Sequence, residues 1–232
     1  MGSHHTDDLF EDWLLFQNII ARNYLQHREI IGVLQRWLHK RDQRGIRVLD
    51  LGCGDSYVAR RSFLGNDAVQ YYGIDHSQQA LDVARSNFKG YSWSVELPCG
   101  DFTRLIQQLH GPFDLVIAGY SFHNLEQEDK ASAMDNIRLI LSPTGTFMVY
   151  DLLPNQGEQQ AVYKERLMAH AEANWTLLDR TQIDAVRAHL TTQCNPIDQS
   201  AWRQLAYDSG LGSGELIYRD SAELVGMLEF SE

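Results

Sequence analysis

Between residues 46 and 153, short apolar runs alternate with amphipathic stretches, and this alternation constrains the fold more than any other feature. Helical spacing is found around 57–64, 78–88, 102–109 and 127–141. The apolar runs between these stretches are IRVLDL (46–51), QYYGID (70–75), YSWSVE (91–96), FDLVIAG (113–119) and GTFMVYDLL (145–153). Runs that are apolar on both faces are typical of parallel strands covered by helices on both sides. The pattern predicts a doubly wound α/β fold with ligands beyond the carboxyl ends of the strands.

The flanking segments predict further elements. Apolar residues recur at helical spacing from Leu9 to Lys40, which predicts two helices that break near Arg22 to Gln26. Residues 156–192 are helical in composition, and another helix is expected at Gln199–Ser209. The runs ELIYRD and LVGMLEF predict an antiparallel hairpin at one sheet edge, which gives seven strands in all. Gly111-Pro112 and the Ser142 to Gly145 stretch are expected to be turns.

Composition narrows the class of protein. The chain has 232 residues, 44% of them hydrophobic, and a formal net charge of -11. No basic stripe is available for phosphates, so nucleic acid is not expected as a partner. The three cysteines lie far apart, which fits a reducing cytosol better than a disulfide framework or a zinc site. No signal peptide or membrane span is apparent, so we expect a cytoplasmic protein and give His4 and His5 no functional weight.

The turn after the first strand indicates the kind of ligand. In RVLDLGCGDS, Gly52 and Gly54 allow the backbone to approach a ligand, but Tyr57 stands where a dinucleotide fingerprint has its third glycine. Asp75 ends the next strand, where an acid binds ribose hydroxyls. A nucleoside ligand without a diphosphate satisfies both observations, and a dinucleotide oxidoreductase is disfavoured.

Five stretches together carry a resemblance to a known family. VLDLGCGDS, YYGIDHS, CGDF, FDLVIAGYSFHNL and LSPTGTFMVYDLL have the order and spacing of class I S-adenosylmethionine-dependent methyltransferases. The chain resembles this family over roughly residues 46–153 and the terminal hairpin. The resemblance implies a Rossmann-like, mainly parallel sheet, S-adenosylmethionine as cofactor and S-adenosylhomocysteine as product. Residues 1–45 would form a helical lid, 46–154 the cofactor-binding core, 155–197 a helical cap, and 198–232 the helix and hairpin that complete the core.

The resemblance also implies roles for individual residues. Asp50, with the turn of Gly52, Cys53 and Gly54, would hold the methionine end, and Asp75, with His76 beside it, would bind the ribose. Asp101 and Phe102 would contact the adenine, the carbonyl of Ala118 would face the ligand's amino group, and Tyr120 would lie near the sulfonium. Cys53 is expected to be a small turn residue and not a nucleophile.

Several site residues have two possible interpretations. His123 follows the fourth strand and is either a base and acceptor ligand or a residue without a role in the chemistry. Arg22 and Tyr24 either close a lid over the cofactor or belong to a solvated helix junction. Tyr163 and His170 are candidates for lining an acceptor pocket under the cap. No metal is expected.

The sequence therefore predicts methyl transfer to an oxygen or nitrogen of a small molecule enclosed by the cap. The alternatives are a methyltransferase for a protein or RNA partner, and a cofactor-binding module without catalysis. The sequence names neither the acceptor nor the oligomeric state.

Overall fold

The computed structural model describes residues 15–41 and 45–231. Its centre is a seven-stranded sheet with the strand order β3-β2-β1-β4-β5-β7-β6. β1 to β5 are parallel, whereas β7 runs antiparallel to both β5 and β6. The strands are β1 (Ile46–Leu51), β2 (Val69–Ile74), β3 (Ser94–Glu96), β4 (Phe113–Gly119), β5 (Leu141–Leu152), β6 (Glu215–Arg219) and β7 (Val225–Ser231). The strand order reverses between β1 and β4, which is where open α/β sheets bind their ligands.

Helices cover both faces of the sheet, and side-chain caps fix several of their starts. Ser77, Asp179 and Asp198 each accept a hydrogen bond from a first-turn backbone amide. The helices are α1 (residues 15–21), α2 (His27–His39), α3 (Tyr57–Ser62), α4 (Gln78–Asn87), α5 (Phe102–Leu105), α6 (Gln127–Ile140), α7 (Gln160–Asn174), α8 (Arg180–Thr192) and α9 (Gln199–Ser209). Two 3₁₀ turns lie at Ile106–Gln108 and Phe122–Asn124.

The core has three parts because alternate residues of each strand face opposite sides. In β4, Val116 and Ala118 pack on the side of α6 and α9, while Leu115 and Ile117 pack on the side of α2 and α3. A third cluster joins α1, α7 and α8 to the carboxyl end of β5, where it includes Leu152. This third cluster puts helices from distant parts of the chain at the edge where a ligand is expected.

The predicted architecture is confirmed, including the number of strands and the terminal hairpin. The helical break is found at residues 22–26, and the part of the first predicted helix that includes Leu9 lies outside the described residues. β3 is shorter than predicted because its pairing with β2 begins only at Ser94, after the buried Trp93, whose Nε1 donates to the carbonyl of Asn66 at 2.7 Å. No helix in the described ranges is long and apolar enough to cross a membrane.

The prediction that a turn at Ser142 to Gly145 precedes the fifth strand is wrong. β5 already begins at Leu141, which pairs with Phe113, and the next pairing joins Leu115 to Thr146. The stretch therefore forms an irregularity inside the strand. Gly145 is needed there because a Cβ would lie 2.8 Å from the carbonyl oxygen of Phe113.

Candidate active site

The glycine turn after β1 combines one crowded and one open position. Gly52 has a φ of +76°, and a Cβ there would lie 2.6 Å from the Cβ of Ser121, whose hydroxyl donates to the carbonyl of Leu51 at 2.8 Å. Gly54 has a φ of +53°, but a Cβ there would meet no atom within 4 Å. Gly52 is therefore required for packing, whereas Gly54 faces open space at the carboxyl edge of the sheet.

Asp75, at the end of β2, is fixed by this turn. Its Oδ2 accepts from the amide of Gly54 at 2.7 Å, and its Oδ1 accepts from the amide of Ser77 at 2.8 Å. An ionised carboxylate has about four acceptor positions, so two of them remain for a ligand. His76 is largely exposed, with its Nδ1 3.7 Å from Oδ1 of Asp75. The acid predicted to bind ribose thus lies against the glycine turn in a fixed orientation.

Asp50 lies deeper, below the turn. It is buried, and the hydroxyl of Tyr71 donates to its Oδ2 at 2.7 Å. Burial raises the pKa of Asp50 to about 7, with the charge of Asp75 adding to the rise and the Tyr71 hydrogen bond opposing it. A cationic ligand nearby would favour the ionised carboxylate. Direct contact with the methionine end stays a prediction.

Cys53 has the properties of a packing residue. Its side chain is buried and forms no disulfide. Burial, together with the charges of Asp50 and Asp75, raises the pKa of its thiol well above the ordinary value. Such a thiol is a poor nucleophile because it is rarely ionised.

The adenine candidates begin helix α5. Asp101 is exposed and caps the helix, with its Oδ1 accepting from the amide and hydroxyl of Thr103 at 2.8 and 2.7 Å. Its Oδ2 is 3.6 Å from Nε of Arg104. Phe102 is half-buried and stacks on Phe122, with ring centroids 5.8 Å apart. The interaction of Phe102 with buried Phe122 fixes the start of α5.

The end of β4 carries two further candidate residues. Ala118 is fully buried between Leu51 of β1 and Val149 of β5. Tyr120 follows with a φ of +49°, an uncommon conformation for a residue other than glycine. Its hydroxyl donates to the carbonyl of Leu25, which ties the N-terminal segment to this edge. Its ring lies 5.2 Å from that of His27.

His123 forms a buried pair with Asp151. The amide of His123 donates to Oδ2 of Asp151 at 3.0 Å, and Nδ1 of the ring lies 2.5 Å from Oδ1. Burial lowers the pKa of His123, but the charge and hydrogen bond of Asp151 outweigh it and raise the pKa to about 10. Because Asp151 occupies Nδ1, only Nε2 is left for another ligand.

The N-terminal residues lie at the junction of α1 and α2. Arg22 is exposed. Tyr24 stacks on Trp175 with ring centroids 5.2 Å apart, and its hydroxyl accepts from the amide of Leu177 at 3.1 Å. Tyr24 therefore packs on the segment after α7, and its predicted contact with a cofactor remains to be tested.

The two acceptor candidates of α7 differ in environment. Tyr163 is fully buried, and its hydroxyl donates to the carbonyl of Leu224 at 2.6 Å. His170 is half-buried and receives a contact from the side chain of Asn174 at 3.3 Å. Tyr163 thus packs in the interior beside the hairpin, and its role toward an acceptor is still a prediction, as is that of His170.

Several residues at this edge were not predicted from the sequence. Asp55 accepts from the side chain of Gln17 at 3.1 Å, which links α1 to the glycine turn. Asp151 lies inside an apolar run and gave no signal there. Cys194, after α8, packs near His123 and His189. Of these residues, only Asp55 could have been predicted, because it directly follows the glycine turn.

Comparisons with known proteins place this site in a family. Residues 42–210 match the family model of a methyltransferase domain. A demethylmenaquinone methyltransferase of Leptospira interrogans is 28% identical over 147 residues, which cover 62% of this chain and 55% of that protein. The chain thus spans about half the length of this curated relative.

Solved structures show the same fold. The S-adenosylmethionine-dependent methyltransferase SibL has a TM-score of 0.62 at 16% identity, over 94% of this chain and 58% of SibL. CalO1, a methyltransferase in calicheamicin biosynthesis solved in its SAH-bound form, has a TM-score of 0.59 at 15% identity, over 89% of this chain and 54% of CalO1. The predicted resemblance is confirmed, and the chain belongs to the methyltransferase domain family.

Proposed function

We propose that this chain transfers a methyl group from S-adenosylmethionine to an oxygen or nitrogen of a small-molecule acceptor. The observation that carries the proposal is the contact of Gly54 with Asp75 beside open space. Two strands further along the same sheet edge, the end of β4 leads to the buried pair of His123 and Asp151. The same edge of the sheet therefore offers a place for the cofactor and a place for the acceptor, which we call the cofactor half and the acceptor half of the site.

The residues present fit the cofactor. Asp75 would accept from the ribose hydroxyls, since its carboxylate is already oriented by two backbone amides. Oδ2 of Asp101 would accept from the adenine amino group, and Phe102 would lie against the ring. When bound, S-adenosylmethionine supplies a methyl group on a sulfonium that an acceptor lone pair can displace in line.

The charges near the turn favour a cation. Asp50, Asp55 and Asp75 are carboxylates within this region, whereas burial lowers the pKa of His27 to about 4, against a smaller opposite effect of Glu29. His27 is therefore neutral at neutral pH and adds no positive charge beside Tyr120. The ring of Tyr120 would contribute a cation–π attraction. We also propose that Arg22 pairs with the methionine carboxylate and that Tyr24 closes over the cofactor.

The acceptor would lie between the end of β4 and the α7–α8 segment, which forms the proposed cap. The amide of Asn195 donates to the carbonyl of His123, so the chain after α8 lies directly over the histidine. Enclosure of this kind excludes water and suits a small molecule. His123 would contact the acceptor, with Asp151 holding the ring orientation. Catalysis would come mainly from positioning and desolvation.

Calorimetric titrations with S-adenosylmethionine and, separately, NAD test the cofactor assignment. Saturable binding of the first alone supports it, and binding of NAD alone overturns it. Transfer of a radiolabelled methyl group to a panel of small amines, acids and phenols then tests the activity. Label found only in added protein or RNA would favour a macromolecular acceptor, and binding without transfer to any of these would favour a non-catalytic module. The cytoplasmic location stays a prediction from the sequence.

A further inference from the structure

Three potential metal ligands meet beside the proposed acceptor site. His123 follows β4, His189 lies in the last turn of α8, and Cys194 lies just beyond that helix. One donor atom from each residue lies within 4.8 Å of those of the other two. His123 and Cys194 are buried, and the ring of His189 stands edge-on to that of His123 with centroids 5.9 Å apart.

The three residues bring donor atoms of two imidazoles and one thiol close together. Asp151 occupies Nδ1 of His123 and leaves Nε2. Nε2 of His189 is buried and has no hydrogen-bond partner among the described residues. Cys194 is a free thiol. A buried nitrogen without a partner is costly, so its presence here calls for a ligand.

We propose that His123, His189 and Cys194 bind one zinc-like divalent metal ion. Two imidazoles and one thiolate are a donor set that zinc prefers, and three protein ligands leave a fourth position for water or another ligand. Asp151 provides the carboxylate that commonly holds the second nitrogen of a metal-bound histidine. The site is distinct from the residues proposed to hold the cofactor.

The cluster needs only a small contraction to bind a metal. Bonds of about 2.0–2.1 Å to nitrogen and 2.3 Å to sulfur give tetrahedral separations of roughly 3.3 Å between the nitrogens and roughly 3.6 Å between nitrogen and sulfur. The upper limit of 4.8 Å between the present donors is about 1.2–1.5 Å wider. Rotation of the His189 side chain, near the end of its helix, can supply this movement.

The charges around the cluster suit a divalent cation. Metal binding would displace the protons on the Cys194 thiol and on Nε2 of His123, which leaves a thiolate and a neutral imidazole as ligands. Asp151 adds a second negative charge, and Lys130, whose ammonium donates to the carbonyl of Leu125, adds a positive one.

Metal binding can be measured without any methyl transfer, so the result is independent of the proposed function. The full chain, freed of metal by a chelator, would be titrated with Co²⁺ and then with competing Zn²⁺. We expect one bound equivalent and a thiolate-to-cobalt charge-transfer band. Elemental analysis of the protein after exposure to Zn²⁺ gives the stoichiometry a second time.

Variants identify the ligands. Cys194→Ser should abolish the charge-transfer band and weaken Co²⁺ binding at least about 100-fold, and Asp151→Asn should weaken it about 10–100-fold. Cys99→Ser removes an exposed thiol outside the cluster and should leave binding unchanged. Circular dichroism and thermal unfolding check the fold of each variant. If Cys194→Ser does not fold, His189→Gln serves in its place, with the same expected loss of affinity.

Three results would overturn the proposal. The first is the absence of saturable Co²⁺ and Zn²⁺ binding by the unmodified chain. The second is binding that survives both Cys194→Ser and His189→Gln. The third is binding that disappears in Cys99→Ser, because the metal would then lie at the exposed thiol.

Discussion

Substituting Gly54 by alanine tests whether the open space at the glycine turn belongs to the cofactor. The new methyl group meets no protein atom within 4 Å, so it does not disturb packing. Only the positive φ of +53° is unfavourable, at about 1–2 kcal/mol. For a chain of this size that corresponds to a fall in Tm of about 2–4 °C per kcal/mol. If ligand atoms occupy the space, crowding costs a further 1–3 kcal/mol of binding, or a roughly 5–150-fold rise in Kd.

Gly65→Ala is the matched control. Gly65 also has a positive φ, of +88°, and a Cβ there also meets nothing within 4 Å, but it lies after α3, away from the turn. Thermal unfolding should show a loss of stability for both variants, larger for Gly65→Ala because its φ lies outside the left-handed region that ordinary residues enter. Calorimetry with S-adenosylhomocysteine should show weakened binding for Gly54→Ala alone. Equal Kd values for the two variants would refute the assignment of this space to the cofactor.

Three further predictions concern the acids and the histidine. Asp75→Ala should weaken binding of S-adenosylhomocysteine by about 1–3 kcal/mol in calorimetry because hydrogen bonds to a charged acceptor are lost, and unchanged affinity would contradict the ribose role. His123→Ala should reduce methyl transfer at least about tenfold while leaving that affinity within about twofold, and a loss of affinity equal to that of Asp75→Ala would show that His123 belongs to the cofactor half. Asp50 has a pKa raised to about 7 in the folded chain, so stability should fall as pH rises from about 4 to 7, by at most about 4 kcal/mol. Asp50→Asn should flatten that fall in urea unfolding at pH 5 and 8, and an unchanged difference would contradict the buried-acid reasoning.

The sheet could be predicted from the sequence because its strands carry local signals. β1 and β4 have the predicted bounds, since each is a continuous apolar run that ends at glycine or next to one. The irregularity at Ser142 to Gly145 could not be predicted, because it depends on how β5 pairs with β4. Proline and glycine mark a change of direction, but they do not distinguish a turn from an insertion within a paired strand.

The two halves of the site differ in predictability for a similar reason. Gly54 and Asp75 follow successive strands, so a short-range motif predicts that they meet. His123 follows β4, and Asp151 lies in the neighbouring strand β5. Asp151 could not be predicted as a site residue, because it lies within an apolar run and belongs to no motif. Cys194 comes near them only through the packing of α8, which no spacing in the sequence encodes.

The distribution of charge along the sheet edge supports the proposed division of the site. Asp50, Asp55 and Asp75 lie around β1 and β2 and are buried, so a cationic donor is attracted to this half of the edge. At the ends of β4 and β5, the negative charge of Asp151 is already balanced by His123 and Lys130. That half offers an acceptor oxygen or nitrogen a contact with Nε2 of His123 or, where the proposed metal ion is bound, with that ion. Tyr120 follows β4, and its hydroxyl donates to the carbonyl of Leu25, so the N-terminal segment lies against the edge where donor and acceptor would have to meet.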